Sequence, residues 1–173
     1  MNLQGFWVVP VVFALAACGD TKPPGDVPPV DGSVVTAVDL GTGQLYWEPL
    51  AATGTHVELI HGPQGGYHIF GRVRFTAPTS DVYVGFRVTP TAGGAALNDP
   101  TERLHLVEGR GLMRTATGWE STSALLVVLV NIRGPAEVVG RAVRFETTIT
   151  PSPATPETPS AAASREVLVV DKT

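Results

Sequence analysis

The feature that most constrains the fold is an alternation of apolar and polar residues with a period of two. It is clearest from Val82 to Val88, where every second side chain is apolar and Tyr83, Gly85 and Arg87 occupy the positions between. Successive side chains of a β-strand point to opposite faces of the sheet, so this pattern predicts a strand with one buried face.

Similar patterns predict several more strands. They lie at residues 45–48, 56–59, 69–75 and 143–149, with shorter apolar segments at 104–106, 112–113 and 167–170. The turn residues 77–81 lead us to expect that the strands on either side of them form a hairpin. The unbroken apolar run from Ala124 to Val130 predicts a central strand covered on both faces.

The expected fold class is therefore all-β. Glycine (19 residues) and proline (15 residues) are abundant, as in short strands joined by many turns. The number and spacing of the strands predict a single β-sandwich over residues 34–173, with immunoglobulin-like Greek-key connections. The Pro/Thr/Ala-rich segment 151–164 is either a hairpin loop or a linker to a detachable last strand. We favour the loop, because Val167 to Val170 needs a sheet to bury it.

Residues 1–17 are predicted to be a signal peptide. The uncharged apolar run from Phe6 to Ala17 is shorter than the about 20 residues that a transmembrane helix needs. It ends in Leu15-Ala16-Ala17-Cys18, which resembles the lipobox of the bacterial lipoprotein family. That resemblance implies cleavage before Cys18, a diacylglyceryl group on its sulfur, and a further acyl chain such as palmitate. The segment before the run departs from the family because it lacks Lys or Arg.

Residues 18–33 read as a lipidated cysteine followed by a disordered tether. The segment contains two Pro-Pro pairs and little that is apolar. At about 3.1 Å per residue, such a tether holds a domain up to about 45 Å from a membrane. We therefore expect a lipid-anchored protein of the cell envelope, with the outer membrane favoured.

Charge and motif content narrow the function. Charged residues make up 16% of the chain and the net charge is −4, so nucleic acid is not an expected partner. The sequence lacks a Gly-x-Ser-x-Gly elbow and a His-Glu-x-x-His motif, and its single cysteine lies in the lipobox. We expect a non-enzymatic binding or structural module whose partner is an envelope protein or glycan.

The segment from His61 to His68 (HGPQGGYH) is the most distinctive motif between two predicted strands. Its proline and glycines are turn residues first. Gln64, Gly65, Gly66 and Tyr67 form a candidate recognition loop, because an amide and an aromatic ring supply adaptable contacts. The loop is also similar to one in uncharacterised bacterial lipoproteins with β-sandwich domains, a resemblance that implies no activity.

A metal site is the alternative function. His61 and His68 flank this loop and, if they face each other across a hairpin, could bind copper or zinc. His56 and Glu58 share one face by the period-two rule and point away from His61. Apart from that metal, no cofactor is expected.

Overall fold

The computed structural model describes residues 34–155 and 158–172. Within these ranges the chain forms eleven β-strands and a single 3-10 turn at Pro135–Glu137, without an α-helix, which confirms the all-β class. The strands are β1 (Thr36–Thr42), β2 (Glu48–Pro49), β3 (Thr55–His61), β4 (Tyr67–Thr76), β5 (Val82–Pro90), β6 (Leu104–Glu108), β7 (Gly111–Arg114), β8 (Trp119–Ser121), β9 (Leu125–Val128), β10 (Ala142–Pro151) and β11 (Ala161–Asp171).

The expectations for the leader and the tether, including lipidation of Cys18, fall outside the described residues. In the part of the chain that is described, no helix is long and apolar enough to cross a membrane.

The strands form one mixed sheet whose pairing returns to its starting strand. From β4 it runs through β3, β11, β10, β5, β6, β7 and β8, and β8 pairs with β4 again. β3–β11 and β6–β7 are parallel pairs. Two further strands, β1 and β9, also pair with β4, and β2 pairs with β1. Among the described strands, β4 thus has the most partners: it pairs with β1, β3, β8 and β9.

The inward faces of these strands enclose one apolar core. Leu59, Ile69, Val84 and Phe145 have no exposed surface. The predicted strands at 56–59, 69–75, 82–88 and 143–149 are confirmed, with their apolar positions buried. Each large apolar side chain that is fully buried stabilises the fold by about 1.5–3 kcal/mol.

The predicted hairpin between β4 and β5 is wrong. β5 pairs with β10 and β6, whereas β4 pairs with other strands. β4 and β5 face each other across the core, where a Cβ on Gly71 would lie 2.8 Å from the Phe86 ring. The alternation determines which face of a strand is buried but not which strand lies beside it.

The prediction that Ala124 to Val130 is covered on both faces is also wrong. Burial alternates along β9, since Val127 is buried while Leu126 and Val128 are 54% and 41% exposed. Within the described part of the chain β9 pairs only with β4. The apolar run therefore contains one buried face and one exposed apolar face.

Two other segments differ from prediction in extent. Leu45 and Tyr46 lie in an exposed loop before β2 and not in a strand, because the chain turns at Gly43, whose φ is +94°. β11 begins at Ala161 and pairs antiparallel with β10, so the connection after Pro151 is a hairpin loop, as favoured, but shorter than 151–164.

Candidate binding surface

A shallow cleft of about 300 Å³ lies beside β3 and β4, on the side that faces away from the core. Phe70 of β4 contributes an aromatic ring, and His56 and Glu58 of β3 contribute polar groups. They reach the cleft because they alternate with the buried Val57, Leu59 and Ile69. The prediction that His56 and Glu58 share a face is confirmed.

The loop between β1 and β2 completes the cleft with Gln44, Leu45 and Tyr46. Leu45 and Tyr46 are 76% and 77% exposed, the highest values among the large apolar side chains of the described residues. Trp47 anchors the loop, because its ring packs where a Cβ on Gly41 would lie and the Arg74 guanidinium sits 4.3 Å above the ring centroid. Trp47 therefore holds the loop in place, while Leu45 and Tyr46 at its tip remain exposed.

The electrostatics of the cleft are mixed. Lys172 Nζ lies 2.7 Å from a carboxylate oxygen of Glu58, and both side chains are about half exposed. Such a pair in contact with solvent contributes about 0–1 kcal/mol to stability. Glu48 adds a second carboxylate to the lining. The cleft thus combines aromatic, apolar, acidic and basic groups.

A partly exposed apolar stripe, in which two side chains are exposed and three are half-buried, adjoins the cleft. We define it as Ile60, His68, Phe70, Leu126 and Val128, because the register pairs His68 with both Ile60 and Val128 and pairs Phe70 with Leu126. Phe70 belongs to both stripe and cleft. Partial burial lowers the pKa of His68, which favours a neutral imidazole in this apolar setting. Contiguous apolar side chains that remain partly exposed are typical of interaction sites.

The predicted histidine pair does not form. His61 lies opposite Tyr67 in the register while His68 lies opposite Ile60, so the two imidazoles project from opposite faces. His61 Nε2 lies 2.8 Å from Asp171 Oδ1, and its ring meets Tyr67 edge to face at 5.2 Å. The described residues contain no group of three or more His, Cys, Asp or Glu side chains placed to hold a metal.

The candidate recognition loop is a tight turn. The Gly62 amide donates to Gly66 O at 2.8 Å, and Gly65 has a φ of +85°, which favours glycine. Gln64 is exposed at the tip. Tyr67 is half-buried against the core and its carbonyl accepts the Leu129 amide, so this residue has a structural role. A role of Gln64, Gly65, Gly66 and Tyr67 in recognition stays a prediction.

A buried ionic cluster was not expected from the sequence. Arg72 Nη2 donates to Ser121 O at 2.7 Å and lies 3.5 Å from Glu120 Oε1, while Arg74 binds the same carboxylate at 2.6 Å. Alternation placed Arg72 on a polar face, and nothing in the local pattern signals that this position is covered.

Comparison with known proteins found no match: no protein-family model matches the chain, and no similar curated protein or solved structure was found.

Proposed function

We propose that this chain is a lipid-anchored lipoprotein of the bacterial cell envelope whose all-β domain is a non-enzymatic binding module. The observation that carries the binding role is the joining of an apolar stripe and an amphipathic cleft on one exposed face. The anchor rests on Leu15-Ala16-Ala17-Cys18 and the Pro-rich segment behind it. An envelope protein or glycan is the proposed class of partner, and the outer membrane the favoured location.

We also infer that the domain is a β-sandwich with immunoglobulin-like connections. β4 and β5 face each other across the core, where Gly71 of β4 leaves room for the Phe86 ring of β5. This contact supports an arrangement of two groups of strands that pack face to face. Face-to-face packing with alternating inward residues is the arrangement expected of a sandwich.

The anchor is tested by Cys18→Ala and by globomycin, which blocks lipoprotein signal cleavage. We expect the untreated wild-type chain to fractionate with membranes and its amino-terminal peptide to carry acyl chains by mass spectrometry. Cys18→Ala should lose the acylated peptide. An unmodified, soluble wild-type chain would refute the anchor.

The binding role is tested by capture from envelope extract. Leu45→Ser/Tyr46→Ser removes the exposed loop tip, and Met113→Ser, a 42% exposed apolar residue on β7 outside the cleft lining, serves as the control. We expect the loop variant to lose specific partners that wild type and control both retain, at equal melting temperatures. The same captured set for all three proteins would argue against this face as the binding surface.

A further inference from the structure

The cleft carries a more specific inference than binding in general. Gln44, Glu48 and His56 all line it, and among the described residues none of these three side chains has a hydrogen-bond partner. A carboxylate accepts hydrogen bonds, an amide both donates and accepts them, and an imidazole ring carries at least one N–H donor. Three unpartnered groups of these types provide the donors and acceptors that sugar hydroxyls require.

Aromatic rings supply the complementary half of such a site. Tyr46 from the loop and Phe70 from the sheet both line the cleft. A pyranose ring has an apolar C–H face as well as hydroxyls at its edge, so an aromatic ring covers the first while polar side chains bind the second. Tyr46 offers this contact at little conformational cost, since its ring has only two rotatable side-chain bonds.

Charge and polarity disfavour two competing ligand classes, anionic ligands and fully apolar ones. Among the described residues, Lys172 is the only ammonium group that lines the cleft, and it is paired with Glu58 at 2.7 Å. Glu48 leaves an excess of negative charge that disfavours phosphates and acidic sugars. A fully apolar ligand would leave the polar lining without partners. The volume of about 300 Å³ lies at the lower end of small-molecule sites and suits one or two sugar rings.

We propose that this cleft binds a neutral carbohydrate, one or two residues at the end of a hexose or N-acetylhexosamine glycan. The proposal rests on the proposed function, because it names the ligand class of the same surface. Tyr46 and Phe70 stack on the sugar, Gln44, Glu48 and His56 bind its hydroxyls, and the Glu58–Lys172 pair borders the site.

The test is isothermal titration calorimetry on the full chain, purified from membranes in a zwitterionic detergent without a sugar headgroup. Cellobiose and chitobiose are the neutral probes, and glucose 6-phosphate and glucosamine are the charged ones. We expect a neutral disaccharide to bind with a dissociation constant of about 1 mM or tighter. Glucose 6-phosphate should not bind measurably.

The decisive variants are Tyr46→Ala and Gln44→Ala, each expected to weaken binding about five- to tenfold. Glu137→Ala is the control, because Glu137 is an exposed polar residue in the 3-10 turn Pro135–Glu137, outside the cleft lining. Tighter binding of glucosamine than of both neutral disaccharides would reassign the site to cationic ligands and overturn the proposal.

Two further outcomes would overturn it: no binding of either neutral probe at about ten times the expected dissociation constant, or equal losses in Gln44→Ala and the control Glu137→Ala. These failures are distinguishable from failure of the proposed function. Capture of an envelope partner that depends on Leu45 and Tyr46 would leave that function standing while the carbohydrate assignment fell.

Discussion

Arg72 is the largest fully buried side chain of the described domain. It is a cation at a position that the alternation of the strand places on the polar face. It is 2% exposed, and its Nε and Nη1 find no partner among the described residues. An unpaired buried donor costs about 1–3 kcal/mol. Glu120, 4% exposed, offsets part of that cost by lying beside both Arg72 and Arg74.

Removing Glu120 should therefore destabilise the fold by more than the Arg72–Glu120 ion pair contributes to its stability. Glu120→Ala leaves the Arg72 charge buried without a counter-ion, and we expect a loss of about 3–5 kcal/mol in the free energy of unfolding, measured by urea denaturation. Glu108→Ala, on an exposed position of β6, is the control and should change stability by less than about 0.5 kcal/mol. Similar small effects for both would show that Arg72 reaches water when Glu120 is absent.

A second residue-scale prediction concerns Asp81. A hydrogen bond from His105 lowers the pKa of Asp81 below its ordinary value of 3.8, with a smaller contribution from Ser152. A carboxyl whose pKa is lower in the folded state stabilises the fold above its unfolded pKa, and that contribution is lost as pH falls through the folded pKa. His105→Ala should raise the pKa of Asp81 toward its ordinary value and remove part of this acid dependence.

The measurement is NMR titration of the side-chain carboxyl carbons. Asp99 is the internal control, because its lowered pKa arises first from the Thr101 hydroxyl and amide. Its titration should be the same in wild type and His105→Ala. An unchanged pKa for Asp81 would show that the 2.7 Å contact with His105 does not persist in solution.

At the scale of elements, β9 shows how one apolar run serves two environments. Val127 is 3% exposed and faces the core, whereas Val128 beside it is 41% exposed. We expect Val127→Ala to destabilise the protein by about 2 kcal/mol and Val128→Ala by less than about 0.5 kcal/mol. Thermal or urea unfolding of the two variants tests this. Equal losses would mean that both faces of β9 are covered in solution.

At the scale of the whole molecule, β11 links distant parts of the chain. It pairs with β10 on one side and with β3 on the other, and its Val167 and Val169 lie in the core. Deleting residues 161–173 should unfold the domain, because two neighbouring strands lose their partner and the core loses apolar contacts. Far-UV circular dichroism and amide NMR dispersion measure this. A native spectrum from the shortened chain would revive the detachable-strand interpretation.

The sequence by itself determined the β class, the position of most strands and the buried side of each. These follow from alternation, which is a local property of a strand and its two faces. Leu59 and Phe145 could be assigned to the core on this ground. The same local rule placed His56 and Glu58 together on an outward face, which became one wall of the cleft.

Only the tertiary structure decided which strands are neighbours. The strand neighbours in turn determine which side chains line the cleft. Pairing depends on contacts between residues far apart in the chain, which a period of two does not encode. For this reason the β4–β5 hairpin was wrong, and the burial of Arg72 gave no local sign. The His61–His68 pair does not form for a different reason: the register of the β3–β4 hairpin places His61 opposite Tyr67. The exposed loop tip at Leu45 and Tyr46 joins the cleft through long-range contacts: only folding brings it to Phe70 and Lys172.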